Sequence, residues 1–182
     1  MSAATAPQST AERRGDKADR LALGVVLERR RIAHPWQEFA WRPVAILPSA
    51  PPVREPRLLR QGADWAWYHM ATLDLELYPV ESAGYQTNLR QAHPVIYALW
   101  HHPNEDPEGW PGVFHVTASP YESQGYLDGS DIVIEGMPMP ESVRLWVEDF
   151  VNRYPPLTAD EEADETRSCK PASSVAEENE IG

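Results

Sequence analysis

The chain has 182 residues, a formal net charge of −12, one cysteine and seven tryptophans. That length fits one domain with tails, and the acidic balance argues against nucleic acid or an anionic membrane as a partner, because phosphates would be repelled. Cys169 alone excludes an intrachain disulfide, a cysteine zinc site and a protein-held iron–sulfur cluster.

No apolar run reaches the ~18 residues that a membrane span needs. The apolar stretch Leu21–Leu27 is too short for a signal peptide and runs into charge. A soluble cytoplasmic protein is therefore expected. Residues 1–20 are small, polar and charged, and are expected to be a disordered tail. Residues 155–182 carry eight acids against Arg167 and Lys170, and are expected to be a disordered acidic tail. A single domain is left at 21–154. Its basic groups are all arginine, since the lysines are Lys17 and Lys170.

Leu21–Leu27 reads as a first strand; Arg29, Arg30 and Arg31 after it could bind phosphate or a carboxylate partner, with a solvated strand end as the plainer reading. An irregular aromatic segment through Trp36, Phe39 and Trp41 leads into a second strand over 42–47. Residues 48–60 hold four prolines and no apolar period, so they read as an exposed loop. The next segment alternates strictly. Trp67, His69, Ala71, Leu73, Leu75 and Leu77 fall on one face, and Tyr68, Met70, Thr72, Asp74, Glu76 and Tyr78 on the other. This argues for an antiparallel sheet with one wetter face. A short helix follows over 81–90, with Tyr85, Asn88 and Leu89 on one side. Pro94–Trp100 is apolar on both faces and suits a central strand, and 101–111 is a proline-rich turn region.

The strongest folding signals lie in 113–154. Val113–Ala118 is rich in β-branched and aromatic residues and reads as a strand. Ser119, Pro120 and Glu122 then spell a capping box opening a helix, with Asp128–Gly129 as its stop. Residues 131–136 read as another strand. Pro138 and Pro140 force an extended approach to a last helix. There Val143, Trp146, Val147, Phe150, Val151 and Tyr154 recur at spacings of three and four, which makes a wide apolar stripe. Runs of strands with short helices between them favour an α+β fold, mainly antiparallel, with the last amphipathic helix packed on one face of the sheet.

Chemistry is harder to read. The chain has no glycine-rich phosphate loop, nucleophile elbow, His-Glu-x-x-His pair or Cys-x-x-Cys. His69, His101, His102 and His115 fall on or beside predicted strands and are the candidate metal ligands, with Asp74 or Glu76 as an added oxygen. Their spacing matches no known site, and the plainer reading is a core-edge histidine and polar strand ends. Tryptophans favour interface hot spots but also fill small cores. Trp110, inside Pro-Glu-Gly-Trp-Pro-Gly, is expected to be exposed. Arg42, Tyr68, Glu76, Tyr85, Arg90 and Trp110 form the candidate binding set. No catalytic residue or cofactor is assigned.

Several motifs together resemble a bacterial family known as a domain of unknown function. They are Trp36…Trp41-Arg42-Pro43-Val44-Ala45, Tyr68-His69…Thr72-Leu73…Leu75-Glu76-Leu77, Glu81…Tyr85…Asn88-Leu89, Pro94-Val95-Ile96-Tyr97, Val116-Thr117-Ala118-Ser119-Pro120-Tyr121-Glu122…Tyr126, Met137-Pro138-Met139-Pro140 and Trp146-Val147…Phe150-Val151. The likeness spans about 22–154 and leaves out both tails. Members of that family look like genomic neighbours of molybdenum- or tungsten-dependent formate dehydrogenases and their maturation factors. The resemblance therefore implies an accessory role in formate dehydrogenase maturation or formate metabolism, with a formate dehydrogenase subunit or maturation factor as partner. A pterin- or nucleotide-binding module lined by Arg42, Arg90, Tyr68, Tyr85 and His69 is the second reading. A metal-dependent enzyme using the strand histidines is the third.

Overall fold

The computed structural model describes residues 18–102, 109–126 and 131–156. β1 (Asp19–Arg31) lies inside a four-stranded antiparallel sheet, between β2 (Phe39–Pro48) and β4 (Trp65–Leu77), with β3 (Arg57–Gln61) on the outer edge of β4. A smaller sheet places β5 (Val95–His101) between β6 (Gly112–Thr117) and β7 (Ile132–Pro138), again antiparallel. β4 packs against β6 and β2 against β7. A 3₁₀ turn at Pro79–Glu81 leads into α1 (Ser82–Leu89); α2 (Pro120–Gln124) follows β6, and α3 (Glu141–Arg153) follows β7. The fold is α+β and mostly antiparallel, in two sheets.

β1 explains its own position. Leu23, Val25, Val26 and Leu27 are all buried, so both faces of the strand are covered, as a continuous apolar run requires. Leu23, Val25 and Leu27 face a core shared with Leu75, Leu77, Ile96, Ala98, Val116 and Met137. Val143, Val147, Phe150 and Val151 of α3 join the same core. The Phe150 ring meets Tyr85 of α1 edge-on at 6.1 Å. Asn88 ties α1 to one end of the smaller sheet, where β5 begins and β6 finishes. Its Nδ2 donates to the carbonyls of Val95 and Ala118, each at 2.7 Å, and its Oδ1 accepts from the Val95 amide at 3.0 Å.

Three expectations are corrected. The first is the face assignment of β4. Val25 pairs with Ala71 and Val26 with His69, so Met70 is an extra residue in a β-bulge. A bulge shifts the alternation by one. Met70 and Tyr68 therefore join Leu73, Leu75 and Leu77 against the core, while Trp67 and His69 turn to the other face, towards Glu28 and Thr72. The second is residues 48–60, whose end is not loop: Arg57–Gln61 pairs with β4. All five of its residues are exposed, so no buried face gave it a period to read. The third is the capping box. Ser119 Oγ does accept the Glu122 amide, at 3.3 Å, but the Glu122 carboxylate does not return to the Ser119 amide. That amide donates to Thr117 Oγ1 at 3.0 Å instead. α2 ends at Gln124, and the expected stop at Asp128–Gly129 lies outside the described residues.

Candidate functional site

The end of the larger sheet where β1 leaves it holds most of the sequence-predicted candidates, divided between two faces. Strand alternation sends Glu28 and Arg30 to the outer face and Arg29 to the inner one. On the outer face Glu28 is 2% exposed. Its Oε1 accepts from Arg30 Nε at 2.8 Å and Arg42 Nε at 3.0 Å, and its Oε2 from Trp67 Nε1 at 2.9 Å. The bond from Arg30 does most to lower the Glu28 pKa; burial opposes it, and Trp67 and Arg42 add to it, leaving the carboxyl at about 2. Arg42 is thereby paired with a buried carboxylate that it shares with Arg30 and Trp67.

On the inner face the Arg29 guanidinium lies 4.5 Å from the Phe39 ring centre, 5.4 Å from Tyr68, 5.7 Å from Trp110 and 6.0 Å from Trp41. The rings also meet one another: Tyr68 and Trp110 edge-to-face at 4.9 Å, Trp41 and Trp110 at 5.3 Å. Trp110 is thus half-buried against the core and not exposed as expected; the cation and the two neighbouring rings cover it. Arg29, Arg31, Phe39, Tyr68 and the turn 61–65 line an open groove of about 200 Å³. Beyond it the β1–β2 hairpin presents Trp36, 92% exposed, and Arg31 pairs with Glu38 at 3.1 Å.

The remaining candidates lie apart. Glu76 sits further along β4, paired with Arg20 at 3.0 Å and accepting the Tyr78 hydroxyl. Tyr85 is fully buried; its hydroxyl accepts the Tyr78 amide at 3.1 Å, and burial pushes its pKa up. Arg90 is exposed at the end of α1. So Tyr68 and Trp110 are brought together, while Arg42 faces the opposite side and Glu76, Tyr85 and Arg90 take no part.

The histidines do not converge. His69 Nε2 lies 3.1 Å from the Ala71 carbonyl and 3.0 Å from Thr72 Oγ1, and burial lowers its pKa. His101 stacks on Phe114 at 4.7 Å, and His102 meets Trp100 edge-on at 5.4 Å. His115 Nε2 is 2.9 Å from Glu122 Oε1, which with the Thr117 hydroxyl at 2.5 Å holds the Glu122 carboxyl below its usual range. Among the described residues no three His, Cys, Asp or Glu side chains are grouped to hold a metal ion. Ser119 donates its hydroxyl proton to the Glu81 carboxylate at 3.0 Å, and the same oxygen accepts the Glu122 amide as the cap of α2.

Sequence patterning names Arg42 and the run Arg29-Arg30-Arg31 but passes over the shared acceptor Glu28, and Glu135, whose buried Oε2 has no hydrogen-bond partner among the described residues. The available signal is the run Glu28-Arg29-Arg30-Arg31 inside a strand, because alternation alone must split such charges between two faces.

A family model described as "Protein of unknown function (DUF3305)" matches residues 22–160. Neither a curated protein nor a solved structure matches the chain.

Proposed function

Because the chain belongs to the DUF3305 family, we propose that it is a non-enzymatic accessory protein of the cytoplasm, acting by binding a protein partner in formate dehydrogenase maturation or formate metabolism. One observation carries the binding half of this reading. At the hairpin end of the larger sheet Trp36 stands almost fully exposed, and on the far side of β4 the edge strand β3 exposes Leu58 and Leu59. A lone exposed tryptophan is a characteristic interface anchor. An uncovered edge strand offers its free backbone groups for pairing with an added strand. The formate dehydrogenase half rests on the motif resemblance and the gene neighbourhood it implies. No helix among the described residues is long and apolar enough to cross a membrane, and the net charge of −12 repels polyanions. The test is co-purification of the tagged chain from its native host: a formate dehydrogenase subunit or maturation factor is expected, and its absence at native expression counts against the proposal.

A second reading, a small-molecule module for a pterin or nucleotide, is favoured by the groove beside Arg29 and Arg31. It moves from the face around Arg42, where it was expected, to the inner face. Bound small molecules released from natively purified protein, identified by mass spectrometry, would support it.

A further inference from the structure

Of the arginines at the hairpin end of the larger sheet three are matched to carboxylates, and Arg60 on the outer edge strand lies over the Trp67 ring at 5.8 Å. Arg30 and Arg42 share Glu28, and Arg31 holds Glu38. Arg29 differs. Among the described residues it has no hydrogen-bond or carboxylate partner, and its contacts are with ring faces alone. It is half-buried, so its position is fixed by packing and not by an ion pair. Contact with rings gives the guanidinium N–H donors no oxygen to pair with, so its fork is left unspent. The groove of about 200 Å³ opens beside that group, with Arg31 and Gln61 on its walls.

We infer that this groove is a receptor for a single carboxylate, carried on an acidic side chain of an extended segment of the partner protein. This deepens the proposed function and rests on it. A planar carboxylate matches the guanidinium fork in a bidentate way. Ring walls partly exclude water, which strengthens the charge-assisted bonds. A phosphate dianion fits less well, because Asp64 also lines the groove and the chain is acidic overall. Gln61, the last residue of the exposed edge strand β3, is a groove wall. A partner segment paired along β3 therefore reaches the groove, and one acidic side chain at its end meets Arg29.

The test uses the full chain, ¹⁵N-labelled, with the Arg29 Nε–H and Trp110 Nε1–H resonances as reporters. The probes are an acetylated, amidated tripeptide with glutamate between two leucines, the same tripeptide with glutamine, and inorganic phosphate. The glutamate peptide is expected to shift both resonances saturably. The glutamine peptide is expected to bind about tenfold more weakly or worse, as loss of a charge-assisted pair implies. Arg29→Lys keeps the charge but loses the fork, and should also weaken binding about tenfold with an otherwise unchanged spectrum. Equal binding of the two peptides, no saturable shift, or tighter binding of phosphate overturns the assignment. In the native-host co-purification, Arg29→Met should recover less partner than the natural chain. Recovery undiminished by Arg29→Met overturns the groove assignment and leaves the interaction reading standing. Saturable peptide binding without any recovered partner supports the groove and removes the interaction reading.

Discussion

Replacing Glu28 by glutamine is the sharpest test of how the larger sheet is held. The carboxylate accepts three donors: Arg30 and Arg42 at Oε1, Trp67 at Oε2. An amide has one acceptor oxygen and one donor nitrogen. With the oxygen towards the arginines, its NH₂ faces the Trp67 N–H; flipped, its NH₂ faces two guanidinium donors. Neither orientation satisfies all three, and a buried unsatisfied donor costs about 1–3 kcal/mol. The charge adds to this. The fall in pKa from 4.5 to about 2 would correspond to about 3 kcal/mol if fully realised. The Arg30 and Arg42 side chains are 48% and 62% exposed, and solvent screening reduces that share to about 1–2 kcal/mol. Glu28→Gln should therefore lose about 2–5 kcal/mol at neutral pH by urea unfolding. The pH dependence has a definite sign. A carboxyl with a lowered folded pKa stabilises above its unfolded value of 4.5 and loses that contribution as pH falls towards about 2. The gap between the two proteins should narrow over that window. Equal stability at neutral pH, or a gap that ignores pH, would refute the reasoning.

Glu135→Gln should act in the opposite sense. Burial raises the Glu135 pKa against the opposing charge of Arg42, so its charged form is a burden that grows as pH rises through the folded pKa; the variant should melt higher at neutral pH, with the gain fading on acidification. Asn88→Ala strips the Val95 amide and the Val95 and Ala118 carbonyls of partners; with up to three polar groups orphaned, a loss of about 2–4 kcal/mol in chemical denaturation is expected. Gly24→Ala sets a Cβ 2.7 Å from His69 Nε2 and 2.8 Å from the Ala50 Cβ, and overpacking of this kind should lower thermal stability by about 1–3 kcal/mol. Trp36→Ala should leave the unfolding midpoint within about 0.5 kcal/mol of the natural chain, because its ring covers none of the core.

The parts of this fold that were legible in sequence are those where one physical demand dominates. The apolar run Leu21–Leu27 was readable as a strand, and β1 places it between β2 and β4. Ser119 was readable as a cap because its hydroxyl has a local amide to accept. What escaped was set by neighbours. The bulge at Met70 is a property of the β1–β4 pair, and it reversed the expected faces of Trp67 and His69. β3 is held by β4 through its backbone, so its exposed side chains carried no period. Glu122 matched the capping-box spacing, yet His115 and Thr117, close in sequence on β6, compete for its carboxylate and win. For the site, Tyr68 and Trp110 were both named beforehand, but their meeting over Arg29 depends on the packing of β4 against β6. That contact is long-range and leaves no local trace.

Mass spectrometry of what co-purifies with the tagged full chain at native expression, beside its Trp36→Ala variant, tests the central claim most directly. The natural chain should carry a formate dehydrogenase subunit or maturation factor, and the variant, folded and equally stable, should carry markedly less. Recovery of neither protein, or equal recovery by both chains, would contradict a partner-binding role seated at the hairpin end of the larger sheet.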